Sequence, residues 1–333
     1  MKLIVPKYFH DFECIANECT DSCCIGWEIG VDPDTEERYR ALSGEMGDRI
    51  RENLTDGEHV CIRLSGERCP FLDSDGLCDI IKTLGEGYLT EICTEHPRYY
   101  LTLGETVFGG LGASCEEAAR LILTHGDRGY AESDAPGFEY EECDDEAYSA
   151  TYRAYISAIE AAHSSDDLYT AAVEIARITE DLDREINGDF SEKISHAPHP
   201  NTENRENILN IYHGLEYMRA RLLPLIARAT EAESLGESEY GSRILTYFLD
   251  RYYMTIACDG DAMGCLGFIL LSSFVLSRIT RECDIASAVD LFKEYSKEIE
   301  YSEENVEKIK NMTRLGIFDT ILPFFTLKAS KTR

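Results

Sequence analysis

Helical spacing of apolar residues dominates the second half of the chain. From residue 147 onwards apolar side chains recur every three to four positions, which predicts amphipathic helices that pack one face into a core. Prolines at 198 and 200 predict a loop between two of them. The predicted helices cover 148–162, 168–186, 208–232, 244–257, 263–279, 286–299 and 306–312.

The first half has shorter and less regular elements. Asp32 followed by Pro33 predicts a capped helix start, and the alternation of apolar and polar residues over 59–64 predicts a short strand. The pattern therefore predicts a mainly α protein. Its cysteine-rich, partly irregular N-terminal metal-binding domain would be followed by an all-helical domain.

A run of acidic residues separates the two halves. Residues 131–146 contain eight carboxylates and no Lys or Arg, which is typical of an exposed linker. At 333 residues the chain also exceeds the usual size of a single core. We expect a cysteine-cluster domain over 1–130, an acidic linker over 131–146 and a helical domain over 147–333.

The charge and hydropathy of the chain exclude several classes of partner. A net charge of −31 leaves no basic surface to neutralise phosphates, so no nucleic-acid partner is expected. The longest apolar run, 263–277, is shorter than the roughly 20 residues of a bilayer span, and it predicts a buried core helix. The apolar start, 1–6, is too short for a signal peptide. We therefore expect a cytoplasmic protein with no membrane association.

Cysteines are concentrated near the N-terminus. Nine of the thirteen lie at or before residue 115, and four of them form C-x4-C-x3-C-C within eleven residues. Disulfides are disfavoured in a cytosolic protein, and adjacent cysteines are awkward to bridge. Thiolates on a short loop can instead converge on one soft ion or cluster. The candidate metal ligands are Cys14, Cys19, Cys23, Cys24, Cys69, Cys78, Cys93 and Cys115.

Eight thiols leave the nature and number of centres open. Zinc takes four ligands and a [4Fe–4S] cluster usually takes four thiolates, so one centre with spare cysteines and two centres are both compatible. Residues 73–76, Asp-Ser-Asp-Gly, predict a turn that places Cys69 and Cys78 on either side of a chain reversal. Ser114 and Glu117 predict a capping box with Cys115 at the first helical position, where free N–H groups favour a thiolate.

Other polar residues have simpler interpretations. His196 and His199 are expected to be loop residues rather than metal ligands. Tyr253 is expected to be a core tyrosine with a hydrogen-bonded hydroxyl, and Asp261 is expected to cap a helix. The sequence contains no glycine-rich dinucleotide motif, P-loop, G-x-S-x-G or H-E-x-x-H, so nucleotide-binding and protease functions have no support.

Several segments resemble the flagellin lysine-N-methylase family. They are C-I-A-N-E-C-T-D-S-C-C-I-G-W, C-P-F-L-D-S-D-G-L-C-D-I-I-K-T-L-G-E-G-Y-L-T-E-I-C-T-E-H-P-R, L-G-A-S-C-E-E-A-A-R-L-I-L, Y-F-L-D-R-Y-Y-M-T-I-A-C-D-G-D and K-E-I-E-Y-S-E-E-N-V-E-K-I. The N-terminal segments are also similar to a wider group of zinc- or iron-chelating cysteine-cluster proteins.

The resemblance implies methyl transfer from S-adenosylmethionine to lysine side chains of flagellin. It also implies an iron–sulfur centre, with zinc as the alternative, held by the eight cysteines. The catalytic and S-adenosylmethionine-binding residues are not identified by the sequence. A non-catalytic metal-binding protein, in which the centre is structural and the helical half binds a partner, remains the alternative.

Overall fold

The computed structural model describes residues 1–57, 59–188, 202–219, 221–231, 238–314, 317, 321 and 322. The predicted loop histidines His196 and His199 lie outside these residues. The described part of the chain is mainly α-helical, as the sequence predicts. Its helices are α1 (Pro33–Ala41), α2 (Glu45–Glu52), α3 (Asp79–Leu84), α4 (Glu91–Glu95), α5 (Glu116–Thr124), α6 (Asp145–Ser164), α7 (Leu168–Asn187), α8 (Thr202–His213), α9 (Leu222–Glu231), α10 (Gly241–Tyr252), α11 (Ile256–Asp259), α12 (Ala262–Ile279), α13 (Ile285–Tyr295) and α14 (Glu303–Thr313).

Short strands form two sheets. The strands are β1 (Lys2–Pro6), β2 (Ile29–Gly30), β3 (Cys61–Ile62), β4 (Arg98–Leu103), β5 (Thr106–Leu111) and β6 (Tyr130–Asp134). Four of them form a sheet in the order β4-β5-β1-β6, with β1 parallel to β5 and the other pairs antiparallel. β2 and β3 form a separate antiparallel pair, in which Gly30 lies opposite Cys61. The strand predicted over 59–64 is therefore present but shorter.

Most predicted helices are present close to their expected bounds. α6 and α7 match the predictions for 148–162 and 168–186, and α12 matches that for 263–279. Among the described helices, α12 is long and apolar enough by composition to cross a membrane, and 83% of its apolar window is buried inside the protein. α13 continues into one π-helical turn, Ser296–Glu300, an irregularity that is frequent at functional sites.

The prediction of one helix over 208–232 is wrong. α8 ends at His213, and α9 begins at Leu222. The intervening backbone finds partners outside a helix, because the Glu298 carboxylate accepts hydrogen bonds from the N–H groups of Met218 (2.7 Å) and Arg219 (2.9 Å). A tertiary contact from another helix thus outweighs the local helical pattern.

Two hydrophobic clusters stabilise the described residues. The larger one joins the four-stranded sheet to the helices, with Val5, Leu111 and Phe248 among its buried members. The smaller one lies between β2, β3 and the first three helices and is centred on Tyr39 and Phe71. The cysteines that belong to or pack against the smaller cluster are Cys24, Cys69, Cys78 and Cys93.

The acidic segment 131–146 begins inside the sheet. β6 pairs with β1 over five residues, while the side chains of Glu132 and Asp134 are exposed. Two of the carboxylates that indicated a linker, Glu132 and Asp134, therefore lie on an edge strand whose backbone is paired on one side. Helix α6 starts within the same segment, at Asp145. The division of the chain into two domains at 131–146 stays a prediction.

Candidate metal centre

Four of the predicted ligands form an inner group beside the smaller hydrophobic cluster. Burial, together with electrostatic repulsion from the thiols of Cys24, Cys93 and Cys78, raises the pKa of Cys69 to about 12. Burial and repulsion from Cys24 and Cys78 likewise raise the pKa of Cys93 to about 11. The Cys69 N–H donates to the Cys24 carbonyl at 2.9 Å. Three separate chain segments are therefore brought together at these thiols.

The remaining ligands form an outer group. Burial raises the pKa of Cys19 to about 12, with contributions from the neighbouring Cys115 and Cys14 thiols. Burial also raises the pKa of Cys115, which the Cys14 thiol influences. The thiols of Cys23 and Cys24 share a hydrogen bond that lowers the pKa of Cys24 to about 7 and raises that of Cys23. Cys23 connects the groups, because its thiol is influenced by both Cys93 and Cys14.

The turn between Cys69 and Cys78 has the predicted chemistry. The Asp73 carboxylate accepts hydrogen bonds from the N–H groups of Asp75 (2.8 Å) and Leu77 (2.9 Å). Leu72 and Cys78 then lie opposite each other in an isolated bridge, so the chain reverses between the two cysteines. The local sequence is sufficient to form this turn, because its hydrogen bonds connect residues within five positions.

The predicted capping box at Cys115 is wrong. Helix α5 begins at Glu116, and Cys115 is its N-cap residue rather than its first helical residue. The buried Ser114 hydroxyl has no hydrogen-bond partner among the described residues, and the Glu117 carboxylate pairs with Arg120. The backbone N–H groups of Glu117 and Ala118 still stabilise a Cys115 thiolate, although burial dominates and raises its pKa.

Two buried lysines connect the outer cysteine group to α13 and the π-helical turn. Lys293 Nζ lies 3.3 Å from the Glu116 carboxylate, which also accepts a hydrogen bond from the Thr20 N–H at 2.9 Å. Lys297 pairs with Asp21. Both lysine side chains are almost fully buried. They place positive charge beside a segment in which several thiols would become anionic on metal binding.

The cysteine thiols are suitable ligands for a soft metal ion, but the described side chains are not arranged around a common metal position. All thirteen cysteines are free thiols. Within the described residues, no group of three or more His, Cys, Asp or Glu side chains lies in a metal-ligating arrangement. Buried thiols next to one another resist ionisation, and a bound cation reverses this effect. Ligation would require the thiols of each group to come closer to a common point than they do in this structure.

A buried ion-pair network lies next to these cysteines. The Glu300 carboxylate accepts hydrogen bonds from Tyr247 Oη (2.9 Å) and Tyr252 Oη (3.0 Å). Arg251 Nε lies 3.4 Å from the same carboxylate. The Arg251 guanidinium is also 5.4 Å from the Tyr301 ring centroid, within cation–π range. The sequence prediction missed this network, because its residues lie far apart along the chain.

Two polar groups beside the network lack partners within the described part of the chain. They are the buried His96 Nε2 and Tyr99 Oη atoms. Burial, together with the nearby cations Lys297 and Arg251, lowers the pKa of His96 to about 4. His96 is therefore neutral at physiological pH. These nearby cations make it a poor candidate for an additional metal ligand.

The simpler interpretations of two other polar residues are confirmed. Tyr253 is buried, and its hydroxyl lies 2.8 Å from Thr179 Oγ1. The Asp261 carboxylate caps α12 by accepting a hydrogen bond from the Gly264 N–H at 3.0 Å. Neither residue lies among the candidate metal ligands.

Asp250 occupies a separate, partly buried position. Its carboxylate accepts hydrogen bonds from Tyr130 Oη (2.6 Å) and Tyr155 Oη (2.8 Å). It lines a cavity of about 30 Å³ together with Tyr8, whose buried hydroxyl has no partner among the described residues. Burial raises the pKa of Asp250 to about 7, against the lowering effect of both tyrosine hydrogen bonds. The cavity is large enough for an ordered water molecule.

The Asp250 pKa predicts a measurable pH dependence of stability. Because the folded pKa is raised from 3.8 to about 7, the native state holds this proton where the unfolded state releases it. Stability from this group is present below about pH 4 and is lost as the pH rises to about 7. We compare the free energies of unfolding of Asp250→Asn and the unsubstituted protein. When the pH is raised from 4.5 to 7.5, we expect this difference to shift by at least about 1 kcal/mol in favour of Asp250→Asn.

Urea unfolding at both pH values measures this difference, and the exposed Asp56→Asn provides the matched control. A difference between the unsubstituted protein and Asp250→Asn that does not change with pH would contradict the assignment.

Comparison with known proteins finds sequence similarity to proteins named lysine-N-methylase. No family model matches it, and no solved structure matches it. Two curated proteins named "Lysine-N-methylase", from Salmonella choleraesuis (strain SC-B67) and Salmonella typhimurium (strain LT2), are 29% identical to it over 130 residues. Over these residues the chain is similar to the two lysine-N-methylases. The resemblance noted in the sequence is thus confirmed, at modest identity.

The match to these relatives is partial. It covers 37% of this chain and 32% of each lysine-N-methylase, so the matched part spans about a third of the length of those proteins. The "Flagellar biosynthetic protein FliU" of Salmonella muenchen is also 29% identical over 130 residues, and the match covers 77% of that protein. The first two names refer to lysine methylation and the third refers to flagellar biosynthesis.

Proposed function

We propose that the chain transfers methyl groups from S-adenosylmethionine to lysine side chains of flagellin in the cytoplasm. In this proposal the eight cysteines hold an iron–sulfur centre or, alternatively, zinc. The single observation that carries the methylation proposal is the relation to proteins named lysine-N-methylase. The gathering of thiols from distant segments into two groups supports a metal centre in the same protein.

The reaction determines what the protein must provide. The lysine nitrogen forms a bond to the methyl carbon while the bond from that carbon to the sulfonium sulfur breaks, and the sulfur keeps the bonding electrons. An ammonium group has no lone pair, so the lysine must lose a proton before the attack. A desolvated pocket lowers the lysine pKa, and in-line placement of nitrogen and methyl group accelerates the transfer.

Two sets of four thiols are available to hold one centre or two. The inner set is Cys24, Cys69, Cys78 and Cys93, and the outer set is Cys14, Cys19, Cys23 and Cys115. A metal bound there would connect these segments through metal–thiolate bonds. Lys293 and Lys297 would partly balance the thiolate charge, because both are buried beside the outer set.

Methylation is tested by mass spectrometry of flagellin. Anaerobically purified protein, S-adenosylmethionine and flagellin should yield flagellin species separated by 14 daltons per methyl group transferred. The control replaces S-adenosylmethionine with S-adenosylhomocysteine, which has no methyl group to donate. Flagellin of unchanged mass in the complete reaction would remove the enzymatic proposal.

The alternative is a non-catalytic metal-binding protein. It is supported by the inner cysteine group, which packs against the smaller hydrophobic cluster and would stabilise it when metal is bound. This alternative predicts a bound metal with no change in flagellin mass. The mass measurement and a metal analysis of the same sample therefore distinguish the two functions.

A further inference from the structure

A surface cleft of about 360 Å³ adjoins the inner cysteine group. One wall is the segment Gly26, Trp27 and Glu28, which directly follows Cys23 and Cys24. The opposite wall is formed by residues 61–64, 66 and 67, with Thr55 at one side. The volume falls within the range of small-molecule sites, about 300–1,000 Å³.

The two walls are connected directly to the cysteines. The Gly26 N–H donates to the Glu67 carbonyl at 2.8 Å, and Ile25 lies opposite Arg68 in an isolated bridge. The next backbone hydrogen bond along this pairing joins Cys69 to Cys24 at 2.9 Å. The paired backbone that forms the cleft walls therefore continues directly to two candidate metal ligands, Cys24 and Cys69.

Trp27 provides a fixed aromatic surface on this wall. Its indole Nε1 donates to the Cys23 carbonyl at 2.7 Å, and its ring centroid lies 4.9 Å from that of Tyr301. Lys297 Nζ lies 5.2 Å from the Trp27 ring centroid. These contacts hold the indole while it lines the cleft, so a planar ligand would meet a largely preformed partner.

The charged groups at the cleft favour a cationic ligand. Glu28 and Glu67 line it, and both residues are exposed; the Glu28 carboxylate also interacts with the Cys61 thiol. The guanidinium of Arg63 donates to the Leu54 carbonyl at 3.1 Å, which engages part of the one cationic side chain among the described residues that line the cleft. The net charge of −31 adds a general attraction for cations and disfavours anionic nucleotides.

We propose that this cleft binds S-adenosylmethionine, with an aromatic contact to Trp27 and with Glu28 and Glu67 facing the positively charged groups of the ligand. The inference rests on the proposed methyltransferase function and assigns its donor site. A sulfonium and an ammonium group match the paired carboxylates, and an adenine ring matches the indole surface. The position of the cleft beside the thiols places the methyl donor next to the candidate centre.

Trp27 allows a direct measurement, because it is the only tryptophan in the chain. Titration of the holoprotein with S-adenosylmethionine should change the tryptophan fluorescence with a saturable dependence. ATP, which carries the same adenosine but a negatively charged chain, should not produce this change at equal concentration. Calorimetric titration then gives the dissociation constants of the variants independently of fluorescence.

Charge reversal tests the location of the site. Glu28→Lys/Glu67→Lys is expected to weaken S-adenosylmethionine binding by at least about tenfold, which corresponds to about 1.4 kcal/mol. The exposed Glu86→Lys is the control, because it changes charge outside the cleft. Thermal melting and metal content of the double variant should match those of the control, which shows that folding is retained. The single Glu67→Gln variant replaces the double variant if the latter does not fold.

The outcomes separate this inference from the proposed function. Flagellin methylation together with an unchanged dissociation constant in the cleft variant would overturn the cleft as donor site and leave the proposed function intact. If the holoprotein without substitutions binds no S-adenosylmethionine and leaves flagellin unmethylated, both the cleft assignment and the proposed function are overturned. Weakened binding confined to the cleft variant supports the inference.

Discussion

Replacing Cys24 by serine is expected to abolish metal binding by the inner cysteine group and to destabilise the smaller hydrophobic cluster by several kcal/mol. Cys24 is central to that group, because its thiol influences the pKa values of Cys69, Cys78 and Cys93. Structural zinc supplies about 10–16 kcal/mol in small domains, and binding energy there is folding energy. Metal analysis and thermal melting of anaerobically purified protein measure both effects.

Cys258→Ser is the matched control for this prediction. Cys258 is exposed, lies in α11 and belongs to neither candidate ligand group. The control should keep both the metal content and the melting temperature of the unsubstituted protein. If Cys24→Ser also keeps both, Cys24 is removed from the ligand set and the inner group loses its support.

Arg251→Met is expected to lower the free energy of unfolding by about 3–5 kcal/mol, the usual cost of removing one partner of a buried ion pair. The Glu300 side chain is fully buried, and Arg251 is only 14% exposed. The substitution leaves the Glu300 carboxylate with its tyrosine hydrogen bonds but without a neighbouring cation. Urea unfolding monitored by circular dichroism gives the free energy.

An exposed ion pair provides the comparison for Arg251. Arg153 and Glu185 are 2.7 Å apart with more than half of each side chain exposed, so Arg153→Met should cost less than about 1 kcal/mol. The double variant Arg251→Met/Glu300→Gln should recover part of the loss, because it removes the uncompensated charge. Equal losses for Arg251→Met and Arg153→Met would show that the network does not stabilise the fold.

The helices of the second half were largely predictable, because their apolar spacing is a local property of the sequence. α6, α7 and α12 have the expected positions for this reason. The break between α8 and α9 was not predictable in the same way. It depends on the Glu298 carboxylate, which comes from a distant part of the chain.

The four-stranded sheet was missed for a similar reason. β1 pairs with β5, about a hundred residues away, and no local pattern reports that contact. One part of the sheet did have a local signal. Gly104 and Glu105 connect β4 and β5 as a two-residue turn with Gly104 at φ +58°, and a glycine at such a turn is a local hairpin signal. That hairpin could have been found from the sequence.

The candidate site was predictable in composition more than in geometry. The density and spacing of cysteines predicted eight ligands, which the structure places in two neighbouring groups, and their role in metal binding stays a prediction. The sequence placed Cys115 one position too far into its helix, because the Ser114 hydroxyl does not form the expected cap. The cleft at Trp27 and the Arg251–Glu300 network arise from tertiary contacts and had no sequence signal of comparable strength.

The most direct test of the cysteine centre is a combined metal and thiol analysis of anaerobically purified, folded protein. A bound centre predicts stoichiometric iron or zinc, with broad absorbance near ~400 nm in the iron–sulfur case. It also predicts that the eight candidate ligands resist a thiol reagent until the metal is removed. Cys143 and Cys258, outside both groups, should react in the metal-bound protein in proportion to their exposure. Folded protein that contains no metal after anaerobic reconstitution, and whose eight thiols react freely, would contradict the account.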